Sequence, residues 1–383
     1  MGEWKTVKLG DVCEIVTGST PGTQNPELWN GNIKWVTPAE ISDTSYFIND
    51  TERHISPKAG LKAMPAGTVL LSSRAPIGKV AIAGTPMCCN QGFKNLICSD
   101  QINNRYLYRY LKSQTAYLNS LGRGATFKEV SKPIVENIRI PLPPLHIQLE
   151  IADILDQVSI LLEKRKTQID KLDLLVKSRF VEMFGDPYEL DKWPCKHVEE
   201  IADVTVGVVI RPTQYYTDKP DGVKAFRSLN VGIMHVRDDD WVFFTPEGHK
   251  SNSKSALKEG DVLVVRSGYP GISCVVPANY NGCNAIDIII ARPHQTVINP
   301  VFMCAFTNNA HGMNQIKAKT GGAAQQHFNV SAYKELTISL PPLPLQTRFA
   351  DFVCATDKSK LTMQRDLNKL ELLYKSLVQK MFL

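Results

Sequence analysis

Apolar residues in the stretch 147–184 step by three and four: Ile147, Ile151, Ile154, Val158, Leu161, then Ile169, Leu172, Val176, Phe180 and Met183, with Arg165 filling one step. The stretch 345–382 repeats the pattern through Leu345, Phe349, Phe352, Thr356, Met363, Leu367, Leu370, Tyr374, Leu377 and Met381. A seam that narrow, with a period of roughly 3.5 residues, predicts coiled-coil helices rather than helices with a wide globular face. Each of about 37 residues spans about 55 Å at 1.5 Å per residue. Rods of that length, polar off the seam, need a partner, and the other copy in the same chain is the nearest candidate; two unconnected core helices are the alternative. Each rod follows a proline run, Pro141-Leu142-Pro143-Pro144-Leu145 and Leu340-Pro341-Pro342-Leu343-Pro344-Leu345. Proline cannot continue a preceding helix or central strand, so each run predicts a stiff hinge.

The two copies register without a gap at a shift of 198 positions: Pro143 with Pro341, Gln148 with Gln346, Ala152-Asp153 with Ala350-Asp351, Lys171-Leu172 with Lys369-Leu370, and Met183-Phe184 with Met381-Phe382. That is an internal duplication. The segments before each hinge repeat more loosely. Gly67-Thr-Val-Leu-Leu-Ser-Ser73-Arg74 is matched by Gly260-Asp-Val-Leu-Val-Val-Arg266-Ser267, Cys89-Asn90 by Cys283-Asn284, and Gly124 to Lys128 by Gly322 to His327. The stretch from Ile210 to Trp241 has no clear counterpart. In the first half, strands are expected at 67–73 and 79–83 around a tight loop at 74–78. A helix is expected at 106–120, with Tyr106, Tyr110 and Tyr117 on one side, and a flexible basic loop at 122–126. Gly185 and Pro187 predict the stop of the first rod.

A chain of 383 residues with 43% hydrophobic and 21% charged residues fits two or three folded domains. No apolar run approaches the ~20 residues of a membrane span, and the N-terminus lacks the apolar core of a signal peptide, so a cytoplasmic protein with no membrane partner is expected. Nine cysteines without a Cys-x-x-Cys pair argue against a zinc module and predict small core residues in a reduced compartment. The formal charge of +6 permits a polyanionic partner without demanding one.

Similar frameworks with unlike loops predict two binding heads of one kind and different specificity. If the rods pair antiparallel, the heads are related by an approximate two-fold, which suits duplex DNA with its half-sites repeating at about 34 Å per turn. The DNA-binding candidates are Ser73, Arg74, Asn90, Gln91, Lys94, Arg123 and Lys128 in the first half. In the second half they are Arg211, Arg227, Arg266, Asn284, Gln325, Gln326 and His327. The cations suit phosphates and guanine edges, and the amides and hydroxyls suit bases or backbone. Singly each reads as a solvated side chain; the case rests on recurrence at matched places. Trp29, Trp35 and Trp241 read as core or loop anchors. There is no GxxxxGK[ST] phosphate loop, no [DN]-Pro-Pro-Tyr and no Phe-x-Gly-x-Gly, so no catalytic, cofactor or metal residues are assigned, and Asp238-Asp239-Asp240 reads as a solvated turn.

The order of head, PLPPL-type hinge, long helix ending in Met-Phe-Gly-Asp-Pro, second head, hinge and helix resembles the specificity (S) subunit of Type I restriction–modification systems along essentially the whole chain. The resemblance implies an α+β fold of two target recognition domains separated by two long helices in an antiparallel coiled coil. The implied boundaries are 1–143 for the first recognition domain, 144–185 for the first spacer helix, 186–341 for the second domain and 342–383 for the second helix. It implies a non-catalytic subunit that binds an asymmetric two-part site in double-stranded DNA, one head per half-site. Two methyltransferase subunits and restriction subunits are the implied partners, with S-adenosylmethionine, ATP and Mg expected on those subunits only. Rival readings are a stand-alone enzyme, which requires the missing motifs, and a non-catalytic coiled-coil scaffold for proteins.

Overall fold

The structure, a computed structural model, describes residues 4–123, 128–185, 192–320 and 327–382. The chain divides into two compact units, Met1–Lys166 with Asp366–Leu383, and Thr167–Arg365. Each unit therefore holds one head and parts of both long helices.

The first head is built on a five-stranded sheet in the order Cys13–Thr17, Phe93–Cys98, Val69–Ser72, Val80–Ala83 and Phe47–Ile48. A three-stranded sheet, Arg53–Ile55, Trp29–Val36 and Cys88–Cys89, has strands interleaved with those of the first along the chain. The β-rich run ending at Ser72 pairs antiparallel with Val80–Ala83, as the sequence predicts. All four residues of Val69–Ser72 and of Val80–Ala83 are buried, which explains their near-continuous apolar sequence. The second head repeats the plan: Ala202–Val206, Ile288–Pro293, Val262–Val265 and Ser273–Val275 in one sheet, and Val242–Phe244, Val223–Phe226 and Asn284–Ala285 in another.

The second sheet corrects one expectation. Val223–Phe226 lies inside the stretch that shows no counterpart in sequence, yet it runs parallel to Asn284–Ala285 as Trp29–Val36 runs parallel to Cys88–Cys89. The counterpart exists; different loop lengths between the strands shift its register and hide it. The helix expected at 106–120 is two, Asn104–Ser113 and Thr115–Ser120, and Tyr117 is exposed while Tyr106 and Tyr110 are buried. The loop at 122–126 lies partly outside the described residues. Cys13, Cys88, Cys89, Cys274 and Cys304 are buried, but Cys195 and Cys354 are exposed.

The long helices run Leu145–Phe184 and Leu343–Phe382, 40 residues each. In the first unit Met381 and Phe382 join Ile151 and Leu155 in one core, and Arg165 and Lys166 meet Asp366 and Glu371 at 3.8 and 3.4 Å. In the second unit Phe180 and Phe184 pack on Phe349, and Lys360 Nζ donates to Asp173 at 2.6 and 2.7 Å. As one helix advances the other recedes, so the pairing is antiparallel in each unit. The buried seam passes through Leu155 rather than Ile154, which is 41% exposed, and bypasses Leu161 at 50%. Steps of four and three from Ile151 reach Leu155 and Val158, and Ile169 and Phe180 then follow at intervals of eleven, three helical turns each. Phe352 likewise yields its place to Val353, which is 4% exposed.

A duplicated polar clamp joins each head to its helix. Gln148 is fully buried; its Nε2 donates to the carbonyls of Gln101 and Pro143 at 3.0 and 2.8 Å, and its Oε1 accepts from Asn103 N at 2.8 Å. Gln346 repeats this with Val297, Pro341 and Asn299 at 3.3, 2.8 and 2.8 Å. Asn103 and Asn299 in turn cap the helices Asn104–Ser113 and Pro300–Asn308 through their side chains. A buried amide is tolerated only when its donors and acceptor are matched, and here both are.

Candidate nucleic-acid interface

In both heads a segment much later in the chain returns to lie beside the end of a central strand. In the first head Val130 N donates to Ser73 O at 2.8 Å; in the second Phe328 N donates to Arg266 O at 2.9 Å. The bridge Arg74↔Glu129 has its counterpart in Ser267↔His327. The closure gathers Ser73, Arg74, Lys94 and Arg123 at one rim of the first head, but in the second it gathers only Arg266 and His327 among the described candidates, with different chemistry.

In the first head the rim is ionic. Glu129 accepts from Arg74 Nε at 2.9 Å and from Lys94 Nζ at 2.9 Å. The Lys94 side chain is only 5% exposed, so it holds Glu129 and Ser73 Oγ (3.3 Å) rather than facing outward. Burial pushes the Glu129 carboxyl up, but the hydrogen bonds from Lys94 and Arg74 outweigh it and hold the group below its ordinary range. Ser73 is buried and donates to Gly92 O at 3.0 Å. Asn90 Oδ1 accepts from Gly92 N at 2.9 Å, forming the turn into the next strand. Gln91 is exposed and accepts from the Thr20 hydroxyl. Arg123 exchanges backbone bonds with Glu129 at 3.1 and 3.0 Å, and its side chain and that of Lys128 are exposed.

In the second head Arg266 is 8% exposed and donates to Asp287 Oδ1 at 2.6 Å, Phe328 O at 3.2 Å and His327 Nε2 at 2.6 Å. Arginine can only donate, so Nε2 accepts and the ring proton sits on Nδ1, 2.9 Å from Ser267 Oγ. Arg227 pairs with Asp240 at 3.0 Å. Arg211 is exposed and left-handed at φ 45°. Asn284 is fully buried and donates to Ser255 Oγ at 2.8 Å, while His249 lies on its Oδ1. Gln325 and Gln326 lie outside the described residues. The triplet 238–240 binds within the head: Asp238 accepts from Lys224 Nζ at 3.1 Å and Trp241 Nε1 at 2.7 Å.

Some rim residues escape the sequence reading. Glu129 and Asp287 do not stand out in sequence because DNA contact suggests cations, yet these acids orient the cations. Gly18 and Gly207 directly follow the strands Cys13–Thr17 and Ala202–Val206, where the backbone passes close to a neighbouring segment; a Cβ would come within 1.9 Å of Asn90 O or 2.3 Å of Ala285 O. Trp29 and Trp35 are loop anchors as expected: their indoles donate to Gly22 O at 3.2 Å and Ser19 O at 2.9 Å.

Among known proteins, the family model described as Type I restriction modification DNA specificity domain matches residues 1–172 and again 198–372. The chain is 27% identical over 406 aligned positions to the Type I restriction enzyme MjaIX specificity subunit of Methanocaldococcus jannaschii, covering 99% of this chain and 92% of that one. A putative MjaX specificity subunit of the same organism is 36% identical over 176 residues, 44% of this chain and 40% of the relative. The crystal structure of a Type I S subunit from M. genitalium superposes with a TM-score of 0.63 at 15% identity, covering 99% of this chain and 96% of that one. A chain from a structural study of Type I complex assembly and conformational transition gives 0.62 at 19% identity, covering 100% and 98%. With the family's domain matched twice, once over each half, this chain belongs to the Type I restriction–modification DNA specificity family.

Proposed function

We propose that this chain reads an asymmetric, two-part sequence in duplex DNA, one head per half-site, for a Type I restriction–modification complex. The single observation that carries this reading is the duplicated head on a matched framework with unlike rims: Arg74, Lys94 and Glu129 in one, Arg266, Asp287 and His327 in the other. Equal frames place equivalent rims against equivalent DNA surfaces. Unlike rims then select different bases, since positioning comes from the backbone and specificity from base edges.

In this reading residues 1–143 and 186–341 are the recognition domains, and 144–185 and 342–383 the spacer helices. Exposed Gln91, Arg123 and Lys128 of the first head and Arg211 of the second contact DNA directly; Lys94, Arg266 and Asn284 shape the rims from inside. The long helices keep large apolar residues exposed, Leu149, Leu161 and Leu174 on one and Leu361, Leu372 and Leu373 on the other. Exposed apolar surface of that kind supports docking of the methyltransferase subunits, with restriction subunits joining them. The chain itself supplies recognition; S-adenosylmethionine, ATP and Mg belong to the partners.

The test is duplex binding by the full chain purified with its methyltransferase subunits. Tight binding to one split site, with affinity falling steeply as salt rises, is expected. Equal affinity for every duplex, or no dependence on salt, contradicts the reading.

A further inference from the structure

In the first head Arg53 lies opposite Trp35 in the antiparallel pair of Trp29–Val36 with Arg53–Ile55. Its guanidinium carbon stands 3.7 Å above the Trp29 ring and 5.1 Å from that of Trp35. The two indoles meet edge to face at 5.0 Å and 88°. The same indoles donate to Gly22 O and Ser19 O, so the loop bearing Thr20 is fixed on the same support, and Thr20 bonds Gln91 of the rim. Arg53 is exposed and makes no ion pair among the described residues. Other cations of the head are already engaged: Lys58 with Glu27 at 3.1 Å, Lys34 with Asp50 at 3.9 Å and Arg74 with Glu129 at 2.9 Å.

Stacking covers one face of a guanidinium and holds its plane, yet leaves the N–H edge open. A planar fork with its orientation already set loses little entropy on meeting two acceptors side by side. Two groups on duplex DNA offer such a pair, the oxygens of a phosphate and the O6/N7 edge of guanine. We propose that Arg53, held over Trp29, is a DNA-contacting residue of the first half-site whose ligand is one such paired acceptor. The inference rests on the DNA-reading function proposed above, and adds a residue and a ligand chemistry to it.

The experiment measures duplex affinity across salt concentrations for the intact complex carrying wild-type chain, R53M, R53A or R53K. Met keeps an apolar stem over Trp29, and the near-ultraviolet circular dichroism of the tryptophans reports whether the support is intact. R53M is expected to weaken binding about ten-fold or more, the range of a good bidentate contact. If the ligand is a phosphate, the loss is equal on all duplexes, the salt slope falls by about one, and R53K restores most of it. If it is guanine, the loss is confined to duplexes with G at one position of the first half-site, and R53K restores only part. R53M binding as tightly as wild type with the same slope overturns the role of Arg53 while leaving the functional reading intact. A wild-type complex with no salt-dependent duplex binding overturns both.

Discussion

Removing the Asp156 carboxylate should destabilise the first head selectively. Asp156 sits on the first long helix and accepts from Tyr46 Oη at 2.7 Å, Arg105 Nε at 3.0 Å and Arg109 Nε at 2.7 Å. The side chains of Asp156 and Arg109 are 11% and 5% exposed, so D156A strands an arginine in the interior. Breaking a buried pair by deleting one partner costs about 3–5 kcal/mol. Arg105 softens the loss, because it is 31% exposed and keeps Asp153 at 2.7 Å; the lower end, about 3 kcal/mol, is expected. The double variant D156A/R109M removes both buried charges and should recover most of that, since two apolar groups in place of an ion pair are often neutral. The sign with pH also follows. Burial pushes the Asp156 carboxyl up, but hydrogen bonds from Arg105, Tyr46 and Arg109 outweigh it and hold it below its ordinary value. A depressed carboxylate contributes stability that is full above its unfolded pKa, about 4, and is lost as pH falls through the folded value. The gap between wild type and D156A should therefore be widest near neutrality and close below about pH 4. Urea unfolding followed by hydrogen exchange separates the two units: amides of the first head should lose protection and those of the second should not. The reasoning is refuted if D156A shifts the first head by less than about 0.5 kcal/mol, the level of an ordinary surface change. It is refuted equally if the double variant is as unstable as the single.

Other outcomes follow from the same geometry. In the second unit the corresponding junction is aromatic, with Phe302 4.8 Å from Phe184 and 5.7 Å from Phe180, so F302A should cost about 3–5 kcal/mol in that unit alone, read by the same exchange experiment. G18A and G207A drive a Cβ into backbone and should each sharply lower the yield of folded protein, as scored by size exclusion. Q346A strands the Asn299 N–H and two carbonyls and should lower stability by about 1–3 kcal/mol for each group left unsatisfied, measured by thermal melting. K128A/R211A should lower the salt slope of duplex binding by about two without altering the recognised bases.

The long helices were legible because their duplication is free of insertions: one shift aligns Gln148 with Gln346 and Phe184 with Phe382. The seam is readable to within one residue; Ile154 and Leu155 are both apolar, so a 3.5-residue period is ambiguous between them by one step, and Leu155 is the buried one. The heads were harder. Their strands keep place but not spacing, so Val223–Phe226 has no sequence echo of Trp29–Val36. Residue type also misleads about exposure. Lys94 and Asn284 carry surface chemistry yet are buried, because Glu129 and Ser255 satisfy them from within. Arg53 was invisible because its setting depends on a cross-strand pairing with Trp35, which no local pattern encodes.

The most direct test of the central claim is a map of methylated adenines in the host genome with this gene intact, deleted and restored. Deletion should erase one split, asymmetric methylation motif, and restoration should bring back the same motif. A genome whose every split motif survives the deletion would contradict the account.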